Sequence, residues 1–239
     1  MQGMEHEICG GLSGRAGAKI DVAIIIITSL IFAGIYIAFE QPIMEYGRNQ
    51  DHMLILRFLP VAAIQYGMSG LGISIVMCKN KELLRQYGLV TKNMIRSIVG
   101  CFCVSVPTVL FLYYTDDIHG FLPFQGMFLT KDVLDAPIPF NIIGYLLIAV
   151  VWGFFEGMYY VVLSDKINSL RTPRKFLNLG ALVCAVFAVL IHGMIGTSFE
   201  VLLEAAATFI LMYGSLVIHD KTGNAWGNIL IFFAIWNAL

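Results

Sequence analysis

The sequence predicts an all-α membrane protein, a polytopic helix bundle with about seven transmembrane helices. Three observations lead there. Of 239 residues, 58% are hydrophobic and 13% charged, against about a quarter charged in a soluble domain. The apolar residues stand in blocks long enough to cross a bilayer, which takes about 20 residues of helix, and mean hydropathy is +0.79. Lys and Arg, finally, gather between alternate blocks. No polar stretch is long enough to fold separately, so 1–239 is expected to be a single transmembrane domain.

In chain order, residues 1–19 hold Glu5 and Glu7 and reach no apolar run before Ile20. They are expected to form a cytoplasmic tail before a retained first helix, not a cleaved signal peptide. Spans are expected at 20–39, 53–78, 93–114, 140–165, 176–196, 199–218 and 225–239, the last being the shortest. Ala63/Gly67 and Gly70/Ser74 in the second span place small residues four apart, a pattern that permits close helix packing. The segment 115–139 mixes Asp116, Asp117, Asp132 and Asp135 with Phe121, Phe124, Phe128 and three prolines. It reads as an irregular lid or re-entrant piece, or alternatively as a plain surface anchor.

Orientation follows from the positive residues. With the N-terminus inside, the inner side receives Arg15, Lys19, Lys79, Lys81, Arg85, Lys92, Arg96, Lys166, Arg171, Arg174, Lys175 and Lys221. The outer side receives Arg48, Arg57 and Lys131, so the bias is twelve to three. Shifting the topology by one helix would reverse it. The five cysteines form no disulfide framework or zinc signature, and Cys101 and Cys103 diverge on a helix. No cofactor or metal is expected. The bilayer is the expected partner and nucleic acid is not. Small size and the lack of targeting signals suit a prokaryotic cell membrane.

Ionisable groups at membrane depth are costly, so each is a functional candidate. Glu156 lies in the fourth span, His192 in the fifth and Asn237 in the seventh. Counted from the inner ends of their helices at 1.5 Å per residue, all three come to about 20–24 Å depth if the fourth helix continues to Leu170, whereas Glu156 is about 8 Å off level if it stops at Asp165. Glu and His together can hold and deprotonate a water, and Asn can donate to a developing oxyanion. The plain alternative is that each polar group bonds a neighbouring helix. Glu200 and Glu204, four apart on the sixth span, share a face. Glu200 is expected at the interface, with Glu204 deeper. A proton-coupled transporter has less support, since no repeat or broken-helix pattern is visible.

The order Glu156, His192, Asn237 and the ending LMYGSLVIHDKTGNAWGNILIFFAIWNAL resemble the CAAX prenyl protease and bacteriocin-processing family of glutamate-dependent intramembrane proteases. The likeness covers residues 140–239, and the loop LLRQYGLVTKN is similar too. It implies a helix bundle with a site open to the cytoplasm, hydrolysing a peptide bond with a water activated by Glu156 and His192. Asn237 would hold the oxyanion, and the substrate or partner would be a membrane-associated or prenylated peptide or a partner helix. The motifs depart from the family's Glu-Glu-x-x-x-Arg, Phe-x-x-x-His and His-x-x-x-Asn. If Glu156 is the first Glu, the second is Gly157 and the Arg position is Val161. If it is the second, the first is Phe155 and the Arg position is Tyr160. The first alignment is preferred, because it puts Tyr160 on an aromatic that often precedes the Arg. Ala188 stands for Phe, and Phe233 for the oxyanion His. The resemblance therefore implies either an endopeptidase with reduced activity or a catalytically degenerate relative that acts as a membrane binding or scaffold protein.

Overall fold

The computed structural model describes residues 2–118, 120–170, 177–194 and 196–239, with side chains from residue 16 onward. Among the described residues all regular structure is helical. Helix α1 runs Gln2–Arg48, so the helix already covers most of the stretch expected as a tail. It breaks at Phe39 (φ −120°, ψ 19°), three residues before Pro42. Proline lacks the amide hydrogen and its ring crowds the preceding turn, which is why the break falls there. The second span is α2 (Leu54–Tyr66), a π-type turn (Gly67–Leu71) and α3 (Gly72–Asn80). The third is α4 (Met94–Val104) and α5 (Val106–Tyr114), parted at Ser105 just before Pro107.

A short helix α6 (Thr130–Asp135) precedes the fourth span, made of α7 (Phe140–Ile148), a π-type turn (Ala149–Phe155) and α8 (Glu156–Asn168). Helix α9 (Leu179–Ile191) is capped by Asn178, whose side chain accepts from the Ala181 amide. Helix α10 (Phe199–Thr222) is capped by Ser198 and ends at Gly223 in the left-handed region, φ 63°. Helix α11 (Trp226–Ile231) passes into a last π-type turn, Phe232–Trp236.

Each of the seven expected spans thus coincides with a helix, although 176 and 195 lie outside the described residues. Five are long and apolar enough to cross a membrane, and Leu179–Ile191 and Trp226–Trp236 are shorter. At 1.5 Å per residue α9 reaches only about 20 Å, short of a hydrocarbon core of about 30 Å. Large apolar side chains such as Ile27, Ile31, Ile37, Leu110, Tyr113 and Leu146 are more than half exposed. A water-soluble monomer does not carry apolar surface on this scale, and a bilayer covers it without cost. The chain is an integral membrane protein.

The fourth span is central. Two thirds (67%) of its apolar window is buried, against 11% for α1. It packs on α1, α9, α10 and α11, while α4 packs on α10 and α11. Close approach of backbones explains several glycines. A Cβ at Gly72 would lie 2.9 Å from Ile25 Cα, and one at Gly180 2.2 Å from Ser164 O. Of the small residues expected to bring the second span close, Gly67 admits the Phe32 ring, while Ala63 is exposed. The bundle has a basic end, with Lys79, Lys166 and Thr222, and a far end, with Arg48 and the 115–139 segment.

At the far end Phe124, Met127, Leu129 and Val133 are buried in a cluster with Phe58 and Ile148. Residues 124–133 are therefore packed down as a lid. Arg57, itself buried, donates to Gly47 O at 3.1 Å and to Asp132 Oδ2 at 2.8 Å, tying α1, α2 and α6 together.

Candidate functional site

Glu156 opens α8 where the π-type turn ends. Such turns widen a helix by one residue and re-aim the side chains beyond them. The Glu156 side chain is buried. Asn237 caps the last turn of the chain, and its Nδ2 donates to Phe232 O (3.1 Å) and Trp152 O (3.2 Å). The same nitrogen lies 3.5 Å from Glu156 Oε2. One amide nitrogen carries two hydrogens. Of its three acceptors the carboxylate is the most distant, at the limit of a hydrogen bond. Asn237 thus serves first to fasten the end of the chain to the fourth span.

His192 follows α9 and is exposed. Its ring meets the Trp236 ring edge-on at 4.8 Å, and among the described residues no hydrogen bond joins it to Glu156 or Asn237. The structure brings Glu156 and Asn237 together and sets His192 on the neighbouring Trp236. Trp236 and Asn237 are adjacent in the chain, so His192 and Glu156 each meet a residue of the last turn.

The positions that depart from the protease motifs are filled by packing. Phe233 lies across Gly153, where a Cβ would come 2.2 Å from its ring, and it stacks edge-on to Phe124 at 5.1 Å. Gly157 presses on α11, a Cβ there falling 2.8 Å from Ile229 Cα. Val161 and Tyr160, the two places where the motif's Arg would stand, are buried in the main core. Glu200 is exposed in the first turn of α10 and Glu204 half-buried, and neither forms an ion pair among the described residues.

A polar cluster at the basic end has no counterpart among the sequence-predicted sites. Asp21, buried, accepts from Lys79 Nζ (2.5 Å), Asn80 Nδ2 (2.7 Å) and Lys166 Nζ (2.9 Å). Lys166 also reaches Glu82 Oε1 at 2.6 Å, and the Tyr87 hydroxyl donates to Glu82 Oε2 at 2.5 Å. Burial, reinforced by that bond and the neighbouring carboxylates, holds the Tyr87 hydroxyl far above its usual titration range. His219 Nε2 lies 3.2 Å from Asp165 Oδ2. The signal in the sequence is an Asp one residue into an apolar run, which is costly unless a cation meets it. Loop 83–93 is pinned alongside. Gly88 O accepts from Ala225 N, Asn93 Nδ2 donates to Thr222 O, and Asn224 Nδ2 donates to Val90 O and Lys92 O.

The cluster holds one lysine between two carboxylates and ties α1 to the C-terminal ends of α3 and α8. Its chemistry is that of a structural clamp, since every charge in it is met by a partner. No group of three His, Cys, Asp or Glu among the described residues is placed to hold a metal. No family model matches the sequence, and no curated protein or solved structure matches it.

Proposed function

We propose that this chain is a catalytically degenerate member of the CAAX-protease-like membrane bundles, acting as a membrane binding or scaffold protein. It would sit in a prokaryotic cell membrane with its N-terminus cytoplasmic and seven helices in the bundle, two of them too short to span unaided. The supporting observation is the fate of Phe233. Its ring occupies the space over Gly153, three residues before Glu156, at the position that aligns with the family's oxyanion-binding His. A phenyl ring donates no hydrogen bond, and losing one such donor costs about 2.7–4 kcal/mol in the transition state. His192, the other half of the expected water-activating pair, packs on Trp236. The twelve-to-three distribution of Lys and Arg supports the orientation.

The test uses protein reconstituted in lipid nanodiscs with a prenylated C-terminal peptide and a set of single-span peptides. The expected result is that Glu156→Gln changes no cleavage and that Phe233→His creates none. Cleavage by the native protein that disappears in Glu156→Gln would return it to the endopeptidases. That second reading is favoured by one observation, the approach of Asn237 Nδ2 to within 3.5 Å of Glu156 Oε2.

A further inference from the structure

Three helix irregularities converge on one place. The break at Phe39 turns the second half of α1 over the far end, placing Met44 along the cavity and the exposed Arg48 at its rim. The π-type turn in the second span supplies Met68, and the one in the fourth supplies Trp152. Together with the lid residues Met127 and Phe128 they line a half-open cavity of about 430 Å³. Gly47 permits the closure, since a Cβ there would stand 2.7 Å from Phe128 Cζ. π-type turns inside helices are frequent at functional positions.

The lining divides by chemistry. Met44, Met68, Met127, Phe128 and Trp152 make a soft apolar wall, of the kind that adapts to a flexible chain. Tyr36, Gln65 and Arg48 supply polar groups. Among the described residues no hydrogen bond engages the Tyr36 hydroxyl, the Gln65 amide or the Arg48 guanidinium, and Arg48 forms no ion pair. Arg57, by contrast, is committed to Asp132. A guanidinium fork at the mouth suits a carboxylate or phosphate. The volume falls in the lower half of the range for small-molecule sites, about 300–1,000 Å³, which fits one chain rather than two.

We propose that this cavity binds a single-chain anionic amphiphile, with its carboxylate or phosphate head on Arg48 and its chain along the methionine wall. The assignment rests on the binding-protein reading, but its test is separate: a Glu156-dependent cleavage would sink that reading without altering what the cavity takes up.

Trp152 lines the cavity and serves as the reporter. With Trp226→Phe and Trp236→Phe in place it is the one tryptophan left of three. The protein, in zwitterionic nanodiscs, is titrated with a brominated fatty acid, its methyl ester and a brominated lysophosphatidate, and quenching is followed. Saturable quenching by an acid is expected, with the ester at least about tenfold weaker. Arg48→Gln should weaken the acid about tenfold, the size of one lost charge-assisted contact. Ile64→Phe, which fills the cavity without touching charge, should abolish saturation. Preference for the fatty acid or the lysophosphatidate identifies which head group is the natural one. Quenching that never saturates, or that is equal for acid and ester, reports partition into the bilayer alone and overturns the proposal. The acid–ester comparison uses no cavity substitution, so it decides the matter even if Ile64→Phe lowers the melting temperature.

Discussion

Replacing Gly157 tests whether α8 and α11 are locked together where the protease motif would carry its second carboxylate. A Cβ at Gly157 would lie 2.8 Å from Ile229 Cα, 3.2 Å from Ile229 N and 3.3 Å from Asn228 O. All three are backbone atoms, so no side chain can rotate away. Reaching ordinary carbon contact near 3.5 Å requires the helices to part by about 0.7 Å. Overpacking of this kind costs about 1–3 kcal/mol, and the better helix propensity of alanine returns up to about 1. Gly157→Ala should therefore destabilise by about 1–2 kcal/mol, which for a chain of this size lowers Tm by about 2–8 °C. Gly157→Glu adds a buried carboxylate with no cation near, worth several kcal/mol more, and should fail to yield a folded bundle. Gly34→Ala, with nothing within 4 Å of the added carbon, is the control and should melt at or slightly above the native temperature. Melting is followed in detergent by size-exclusion recovery after heating. If Gly157→Ala melts with Gly34→Ala, the helix contact is wrong.

Two further outcomes concern the basic end. Asp21→Asn leaves Lys166 with Glu82 alone and removes the partner of Lys79, so a loss of about 2 kcal/mol is expected. In a double-mutant cycle with Lys166→Met the two changes should couple by about 0.5–3 kcal/mol, and simple additivity would show that the cluster is not one unit. Tyr87 gives a pH dependence with a definite sign. Its folded pKa is raised above its ordinary value of 10.0. The folded state thus keeps the proton that the unfolded chain releases, and stability present below pH about 10 is lost as pH climbs beyond it. In Tyr87→Phe the alkaline decline in Tm should be shallower than in the native protein, and parallel curves would refute the assignment.

Much of the bundle is legible in the sequence because bilayer crossing writes itself in long apolar blocks. Each of the seven blocks forms a helix, and the charge asymmetry finds the basic end. The irregularities are not legible. A π-type turn such as Ala149–Phe155 leaves hydropathy unchanged, since its residues remain apolar and helical in type. The break at Phe39 is announced by Pro42, but a proline near an expected helix end looks like a terminator. For the site, equal depth puts Glu156, His192 and Asn237 in one layer without saying which way each side chain points. Rotation about the helix axis is decided by packing, and here Phe233 on Gly153 and His192 on Trp236 decide it. Asp21 escapes a reading along the chain because its partners, Lys79 and Lys166, lie 58 and 145 residues away.

The placement of these features gives the two ends different work. At the basic end, charges from α1, α3 and α8 are mutually neutralised, and loop 83–93 is hydrogen-bonded to the start of α11. Opening that end would expose several partnered charges to low dielectric at once, so it is the costly place to move. At the far end the helices are broken, and closure depends on aromatic contacts of Phe124 and Phe128 and on the single Arg57–Asp132 pair. Apolar contacts exchange for lipid contacts at little cost, because a hydrocarbon chain packs against a phenyl ring as well as another side chain does. A ligand that entered from the bilayer would therefore meet its lowest barrier at the far end, beside Arg48. The buried carboxyl of Glu156 lies below the same π-type turn that lends Trp152 to the cavity wall, and Asn237 donates to the carbonyl of that tryptophan.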